Sequence, residues 1–157
     1  VDSVLVRAAL EGALMVLISL LLLAGGGLAG LEVIPADPLM VLAAMSGMWL
    51  IGLGLGLCTS VAAELVPEFA RLLAMLLRPL YLLSGVVFPI SSVPPPYRDW
   101  MLLNPLAHGI DAVRLGFAPY YHAVPGLSLS YLFFWALGLT LLGLLLQIGL
   151  AKRMVAQ

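Results

Sequence analysis

The side chains most capable of acid–base chemistry or ligand binding are His108, Asp111 and Arg114, which follow one another at intervals of three residues. On a helix this spacing puts His108 and Asp111 on one face, where they could act as a general acid and base or as two metal ligands. Two ligands do not complete a metal site, the only other histidine is His122, and no serine or cysteine nucleophile adjoins the pair. We therefore predict no metal site and no catalytic residue, and an enzyme is the weaker hypothesis.

Arg78 is a further candidate functional residue, because it is a charged residue that interrupts an apolar stretch. It is followed by Pro79. It lies seven residues after Arg71, which is about 10 Å along a helix axis. An arginine that faces lipid near the bilayer centre costs on the order of 2 to 3 kcal/mol. Arg78 could instead snorkel to the interface, pair with another helix or line a polar path, and these interpretations stay open. Pro79 removes one backbone hydrogen bond and predicts a kink.

The overall composition shows what kind of element must position these residues. Hydrophobic residues make up 63% of the chain, charged residues 10%, and the mean hydropathy is +1.15. A soluble domain has roughly 45 to 50% apolar and about 25% charged residues. Seven Lys and Arg against eight Asp and Glu leave no basic excess for nucleic acid. The single cysteine, Cys58, is typical of a small buried side chain. We predict an all-α integral membrane protein.

Four stretches with little or no charge are long enough to cross the bilayer, which takes about 20 apolar residues. They predict spans over about residues 10–31, 38–62, 71–90 and 128–151. They lack the period-two alternation of barrel strands, and their glycine pairs, Gly26 with Gly30 and Gly52 with Gly56, suit helix packing. None has an acid at mid-span, so an ion-coupled carrier or channel is disfavoured.

The distribution of basic residues predicts the orientation. One side of the predicted bundle carries Arg7, Arg71, Lys152 and Arg153, and Arg78 could reach it by snorkelling. The other side carries Arg98 and Arg114. Since cytoplasmic loops are enriched in Lys and Arg, both ends of the chain are predicted to be cytoplasmic.

The segment between the last two predicted spans, residues 88–121, is too polar for a span and too apolar for a free loop. Three prolines before Tyr97 allow a short helix to begin there, and Asn104 with Pro105 predicts the N-cap and first residue of a second, amphipathic helix to about Phe117. We therefore predict a re-entrant helical hairpin over about residues 95–117, permitted where its polar groups face protein or water. The aromatic residues Tyr97, Trp100, Tyr120 and Tyr121 suit the membrane interface.

Residues 79–114 read PLYLLSGVVFPISSVPPPYRDWMLLNPLAHGIDAVR. The order of Leu-Ser-Gly, Pro-Tyr-Arg-Asp-Trp, Asn-Pro and an acid three residues before an arginine resembles ABC-2 type transporter permeases. The closest resemblance is to the inner-membrane permeases that export capsular or O-antigen polysaccharides. It implies that residues 1–157 form a single transmembrane domain with four of six expected spans. We therefore expect the chain to be the carboxy-terminal part of a longer permease.

The resemblance also implies partners and a location. The permease would be a homodimer in the bacterial inner membrane, associated with two ABC ATPase subunits and with periplasmic or outer-membrane export proteins. The permease would carry a lipid-linked glycan and would be surrounded by membrane lipid. The chain has no G-x-x-x-x-G-K-[ST] motif, so it is predicted to bind no cofactor, with ATP on the partner subunit. The turn containing Glu64, Glu68 and Arg71 is a candidate ATPase contact.

A sugar path needs aromatic faces and hydrogen-bonding charges. The candidate path residues are Arg78, Tyr81, Phe88, Tyr97, Trp100, His108, Asp111 and Arg114. The aromatics could instead anchor the interface, and Asp111 with Arg114 could form a local ion pair. Export of a drug or a lipid by the same architecture is the alternative function.

Overall fold

The computed structural model describes residues 2–30, 33–118 and 120–155, and every regular element in these ranges is helical. The elements are α1 (Asp2–Leu28), α2 (Pro38–Leu65), α3 (Pro67–Leu82), a 3-10 turn (Ile90–Ser92), α4 (Tyr97–Met101), α5 (Pro105–Phe117) and α6 (Leu129–Val155). Three ranges, Val4–Leu28, Pro38–Leu65 and Leu129–Gly149, are long and apolar enough to cross a membrane. The all-α membrane class predicted from composition is confirmed.

The helix in the third predicted span differs from its expected bounds of 71–90. It begins at Pro67 and ends at Leu82, so its 16 residues reach only about 24 Å. Gly85, at a φ of 81°, and the following turns stop the helix before residue 90. The helix of the third predicted span, α3, is therefore shorter than α1, α2 and α6.

Helices α2 and α6 form the centre of the bundle and run in the same direction. Gly47 faces Leu132, and a Cβ added at Gly54 would lie 2.7 Å from the backbone nitrogen of Thr140. Gly143 is similarly close to Leu57. These glycines allow the two backbones to approach closely, as small residues do between membrane helices. Around Gly52 and Gly56, by contrast, an added Cβ would have no described atom within 4 Å.

Polar side chains connect the same two helices. Thr140 Oγ1 donates to the carbonyl oxygen of Leu50 at 3.3 Å, and Gln147 Nε2 donates to Ser60 Oγ. Cys58 Sγ lies 3.8 Å from the carbonyl oxygen of Leu139, and its side chain is partly buried, whereas the sequence predicted a buried one. Such hydrogen bonds satisfy polar groups that lipid could not.

Helix α5 packs antiparallel against the first half of α2. Gly109 contacts Met48 near the start of α5, and Gly116 contacts Val41 near its end. The backbone nitrogen of Asp37 also donates to the carbonyl oxygen of Gly116 at 3.0 Å. Leu106 packs on the cluster around Ile51. The first residue of α5 therefore lies level with the middle of α2.

Helices α4 and α5, residues 97–117, form what we call the α4–α5 hairpin. Its turn is covered by an apolar cluster of Ile90, Met101, Ala107 and Val124. Since α5 rises along α2 from the middle to the start, the hairpin turn points toward the centre of the bundle. The short helix and the amphipathic helix predicted in this segment are confirmed, with α5 ending at Phe117 as expected.

Candidate functional site

The start of α5 is fixed by Asn104, which has the predicted role of N-cap. Its side-chain oxygen accepts from the backbone nitrogen of Leu106 at 3.1 Å, and Pro105 occupies the first helical position. Its Nδ2 donates to the carbonyl oxygen of Leu80 at 3.0 Å. One side chain therefore begins α5 and also attaches it to the last turn of α3.

His108 lies one turn into α5 and is only 4% exposed. Its Nδ1 accepts from the backbone nitrogen of Ser128 at 3.2 Å, so the proton of the neutral ring belongs on Nε2, 2.8 Å from the carbonyl oxygen of Leu102. The ring also meets Tyr131 edge to face, with centroids 5.0 Å apart. His108 thus connects the hairpin turn to the start of α6.

Asp111 is fully buried on the next turn of α5. One carboxylate oxygen accepts from the hydroxyl of Tyr121, and the other accepts from the backbone nitrogen of Val124 at 3.2 Å. Burial raises the pKa of Tyr121, and the hydrogen bond to Asp111 raises it further. Tyr121, which the sequence analysis assigned to the membrane interface, is also a hydrogen-bond partner of Asp111.

Arg114 lies a further turn along α5 and is half-buried. Its Nη2 donates to the carbonyl oxygens of Gly85 and Val86, the second at 3.1 Å. Within the described ranges Arg114 and Asp111 form no salt bridge, so the local ion pair considered from their spacing is not present. Nη1 of Arg114 is buried and has no hydrogen-bond partner among the described atoms.

The three polar residues of α5 therefore hold three different segments of the chain. His108 binds the start of α6, Asp111 binds the loop before it, and Arg114 binds the turn after α3. His108 and Asp111 do not converge on a common point as an acid–base or metal pair would. In the described part of the chain, no group of three His, Cys, Asp or Glu side chains could hold a metal.

The other candidate path residues have exposed side chains. On α3 these are Arg78 and Tyr81, and Phe88 follows in the turn after α3. On α4, Tyr97 is 63% and Trp100 is 71% exposed. The eight candidates thus divide into an exposed set that a solute could contact and a set on α5 that is engaged with the backbone.

Charged residues of α3 form one polar face. Glu68, Arg71 and Arg78 fall within an arc of about 80° at 3.6 residues per turn, and all three are exposed. The connection from α2 to α3 is a single extended residue, Val66. Glu64 is also exposed in the last turn of α2, so the candidate ATPase contact lies on an accessible surface.

The contacts that sequence reasoning missed are Tyr121, Ser128 and the backbone of Gly85. They lie 10, 20 and 29 residues from their partners on α5. No local pattern marks such contacts, because they depend on how the connecting segments fold back over the helix. Asn104 was found because an N-cap followed by proline is a local signal.

These features define a polytopic helical membrane protein with a polar helix hairpin packed against its central pair. Residues 2–118 match the model of the family described as ABC-2 type transporter. The chain belongs to that family, as the resemblance of residues 79–114 implied.

Relatives with known names support the same assignment. Polysialic acid transport protein KpsM of Escherichia coli is 32% identical over 146 residues, which cover 93% of this chain and 56% of that protein. Capsule polysaccharide export inner-membrane protein CtrC of Neisseria meningitidis serogroup B is 30% identical over 118 residues, covering 74% and 44%. Nodulation protein J of Neorhizobium galegae is 35% identical over 83 residues, covering 51% and 31%. The chain spans about half the length of the first of these.

Proposed function

We propose that the chain is part of the permease subunit of an ATP-binding cassette exporter that moves lipid-linked polysaccharide across the bacterial inner membrane. The observation that carries this proposal is the polar face of α3, which lies in a bundle otherwise suited to lipid. The family assignment supports transport, and the names of the KpsM and CtrC relatives favour polysaccharide as the cargo class.

The depth of Arg78 in the bundle indicates what the polar face of α3 contacts. Leu80, two residues further on, is bonded to Asn104, and it lines a cleft together with Ile51 and Leu55 from the middle of α2. Arg78 therefore lies near mid-height of the bundle. Facing lipid there would cost the arginine on the order of 2 to 3 kcal/mol. The polar face of α3 is more stable where it contacts water and the same face of a second permease copy.

The exposed aromatics extend this path. Tyr81 follows Arg78 by three residues on α3, and Phe88, Tyr97 and Trp100 are exposed between α3 and the hairpin turn. Aromatic rings offer flat faces on which sugar rings can stack, and Arg78 offers hydrogen-bond donors. In this proposal, His108, Asp111 and Arg114 keep the α4–α5 hairpin in place and do not contact sugar.

The hairpin is proposed to be re-entrant, because its turn is level with the middle of α2. Asn104, His108, Asp111 and Arg114 each form hydrogen bonds with backbone atoms, which favours a non-spanning segment at membrane depth, although Nη1 of Arg114 has no partner among the described atoms. We further propose that both ends of the chain face the cytoplasm. The exposed residues Glu64, Glu68 and Arg71 would then meet the ATPase subunit that supplies the energy, and periplasmic export proteins would receive the glycan.

The test compares Arg78→Leu with Arg7→Gln in the full-length protein with its ATPase. Arg7 is a matched control, because it is an exposed arginine whose partner, Glu11, is on its own helix. We expect Arg78→Leu to reduce surface polysaccharide at least tenfold while the amount of protein in the membrane stays normal. Arg7→Gln should export normally.

The measurements are antibody labelling of surface polysaccharide, the intracellular pool of lipid-linked glycan, and immunoblotting of membranes. Normal export by Arg78→Leu would refute the path along α3. If a drug or an unglycosylated lipid accumulated in the variant while polysaccharide export was unaffected, the result would support export of that alternative cargo by the same architecture.

A further inference from the structure

We propose that Asn104 and Arg114 are positioning residues for the export path, because they hold the outer end of α3 away from α6. This inference rests on the proposed path along the polar face of α3. It gives two residues of the α4–α5 hairpin a role in export that needs no contact with the cargo. It follows from how the end of α3 is bonded, from the space beside that end and from the direction of the polar face.

Carbonyl oxygens at the end of α3 take their donors from the hairpin. The last four carbonyl groups of a helix have no donor within the helix. The backbone nitrogens that follow α3 bond to the carbonyl oxygens of Pro79 and Tyr81. The carbonyl oxygen of Leu80 accepts instead from Asn104 Nδ2 at 3.0 Å. Arg114 Nη2 donates to two further carbonyl oxygens in the turn directly after α3.

Side-chain packing contributes little at this end of α3. Residues 80–83 are between 41% and 55% exposed. A cleft of about 510 Å³ is lined by α3 on one side, through Leu77 and Leu80, and by α6 on another, through Trp135 and Leu139. The position of the outer end of α3 therefore depends mainly on its hydrogen bonds to the hairpin.

The hairpin, by contrast, is held by contacts that do not involve α3. Gly109 packs against Met48 of α2. His108 accepts from the backbone at the start of α6, and Asp111 accepts from the backbone of the loop before it. These contacts remain when the two links to α3 are removed. The hairpin is thus the fixed support, and α3 is the element that the links position.

The other end of α3 allows rotation. A single extended residue, Val66, connects α2 to α3. Hinges are a few residues at the end of an element that absorb a change in φ and ψ. Because α3 is about 24 Å long, a rotation of about 10° at Val66 moves its outer end by about 4 Å.

Two opposite faces of α3 determine what such a movement does. Leu77, Leu80 and Leu83 line the cleft. At 100° per residue, their mean direction lies about 165° from that of the polar face. Movement of α3 into the cleft would therefore withdraw the polar face from a second permease copy and widen the path between them. Tyr97 and Trp100 also line the cleft, so the same movement narrows the space beside them.

The first measurement reports the position of α3 independently of export. A bimane fluorophore is attached at Leu77→Cys, in a Cys58→Ala background of the full-length protein, and Trp135 quenches it when α3 approaches α6. Asn104→Ser removes the link to α3 and keeps an N-cap for α5. We expect it to lower bimane emission about twofold, because losing one hydrogen bond shifts a two-position equilibrium by up to about tenfold. Trp135→Phe should abolish the difference.

Two control variants separate position from stability. Asp37→Ser is the matched change at the N-cap of α2, where the side chain accepts from the backbone nitrogen of Met40, and it should leave the emission unchanged. Asp111→Leu weakens the hairpin without removing a bond to α3, so it should lower the melting temperature and not the emission. Arg114→Leu should lower the emission as Asn104→Ser does, and Arg114→Lys, which keeps a donor, should restore it.

Export is measured in the same variants, without the fluorophore, as surface polysaccharide per amount of permease in the membrane. We expect Asn104→Ser to reduce it about threefold, because the path is misplaced without being removed, and Asp37→Ser to export normally. Unchanged emission in Asn104→Ser, or an equal drop in Asp111→Leu, would overturn the inference.

The two experiments also distinguish this inference from the proposed function. Lowered emission with normal export in Asn104→Ser, while Arg78→Leu abolishes export, would overturn the inference and leave the path along α3 intact. Normal export by Arg78→Leu, with lowered emission in Asn104→Ser, would refute the path and still support the role of Asn104 in holding α3.

Discussion

The polar residues of α5 and those of α3 are of the same chemical types but have opposite environments. Asp111 and Arg114 on α5 have their charged groups against the backbone of other segments. Glu68 and Arg78 on α3 have exposed side chains. In a chain with few charges, each one is expensive to place in a bilayer and needs compensation. The comparison indicates that α5 uses its polar groups for structure and that α3 leaves them available for partners and solutes.

The largest effect on stability is expected from Asp111→Leu. This change leaves the hydroxyl of Tyr121 and the backbone nitrogen of Val124 without their acceptor in a buried site. Two unpaired donors should lower the free energy of unfolding by about 3 kcal/mol. Denaturant unfolding of the purified protein measures this loss. Asp99→Leu on exposed α4 is the matched control and should change the free energy of unfolding by no more than about 0.5 kcal/mol. Equal losses in the two variants would contradict the structural role of Asp111.

A smaller loss is expected from Arg114→Leu, which unpairs the carbonyl oxygens of Gly85 and Val86. We expect about 2 kcal/mol and faster amide hydrogen exchange in residues 83–93. Arg78→Leu is the matched arginine on α3 and should change stability by no more than about 0.5 kcal/mol, although it reduces export. If Arg78→Leu were the more destabilising variant, the division between the two helices would be wrong.

The smallest effect is a pH dependence from Tyr121. Its pKa is raised above the ordinary 10.0, by burial and by Asp111, so the neutral hydroxyl is favoured in the folded state. The stability from this group is fully present below pH 10 and is lost as the pH rises through the folded pKa. Thermal unfolding above and below pH 10 should show a smaller alkaline loss for Tyr121→Phe than for wild type. An identical loss in both proteins would contradict the role of the Tyr121 hydroxyl.

Local patterns predicted much of this fold. The charge-free stretches indicated the three long helices, and Asn104 with Pro105 indicated the start of α5. The early end of α3 was not predicted from the sequence, because residues 83–89 are as apolar as the end of a membrane-spanning helix. The turn at Gly85 that ends it is stabilised by Arg114, which is distant in the sequence. Hydropathy reports whether a segment tolerates lipid and does not report where it leaves the helix.

Glycine spacing was similarly incomplete as a predictor. The four-residue pair Gly52 and Gly56 fits the small-residue pattern, yet the close contact with α6 uses Gly54 on a different face of α2. Which face of a helix meets a neighbour depends on the rotation of both helices in the bundle. That rotation is a property of the packed structure.

The amino-acid order alone settles the membrane class, the long helices and the cap of α5, because each depends on interactions within one helix or between a segment and its solvent. Only the tertiary structure shows that His108, Asp111 and Arg114 hold three separate segments and that Arg78 is left exposed. The physical reason is that a polar side chain in an apolar chain takes whichever partner the folded backbone brings within hydrogen-bond distance. Those partners are up to 29 residues away, beyond the range of any local pattern.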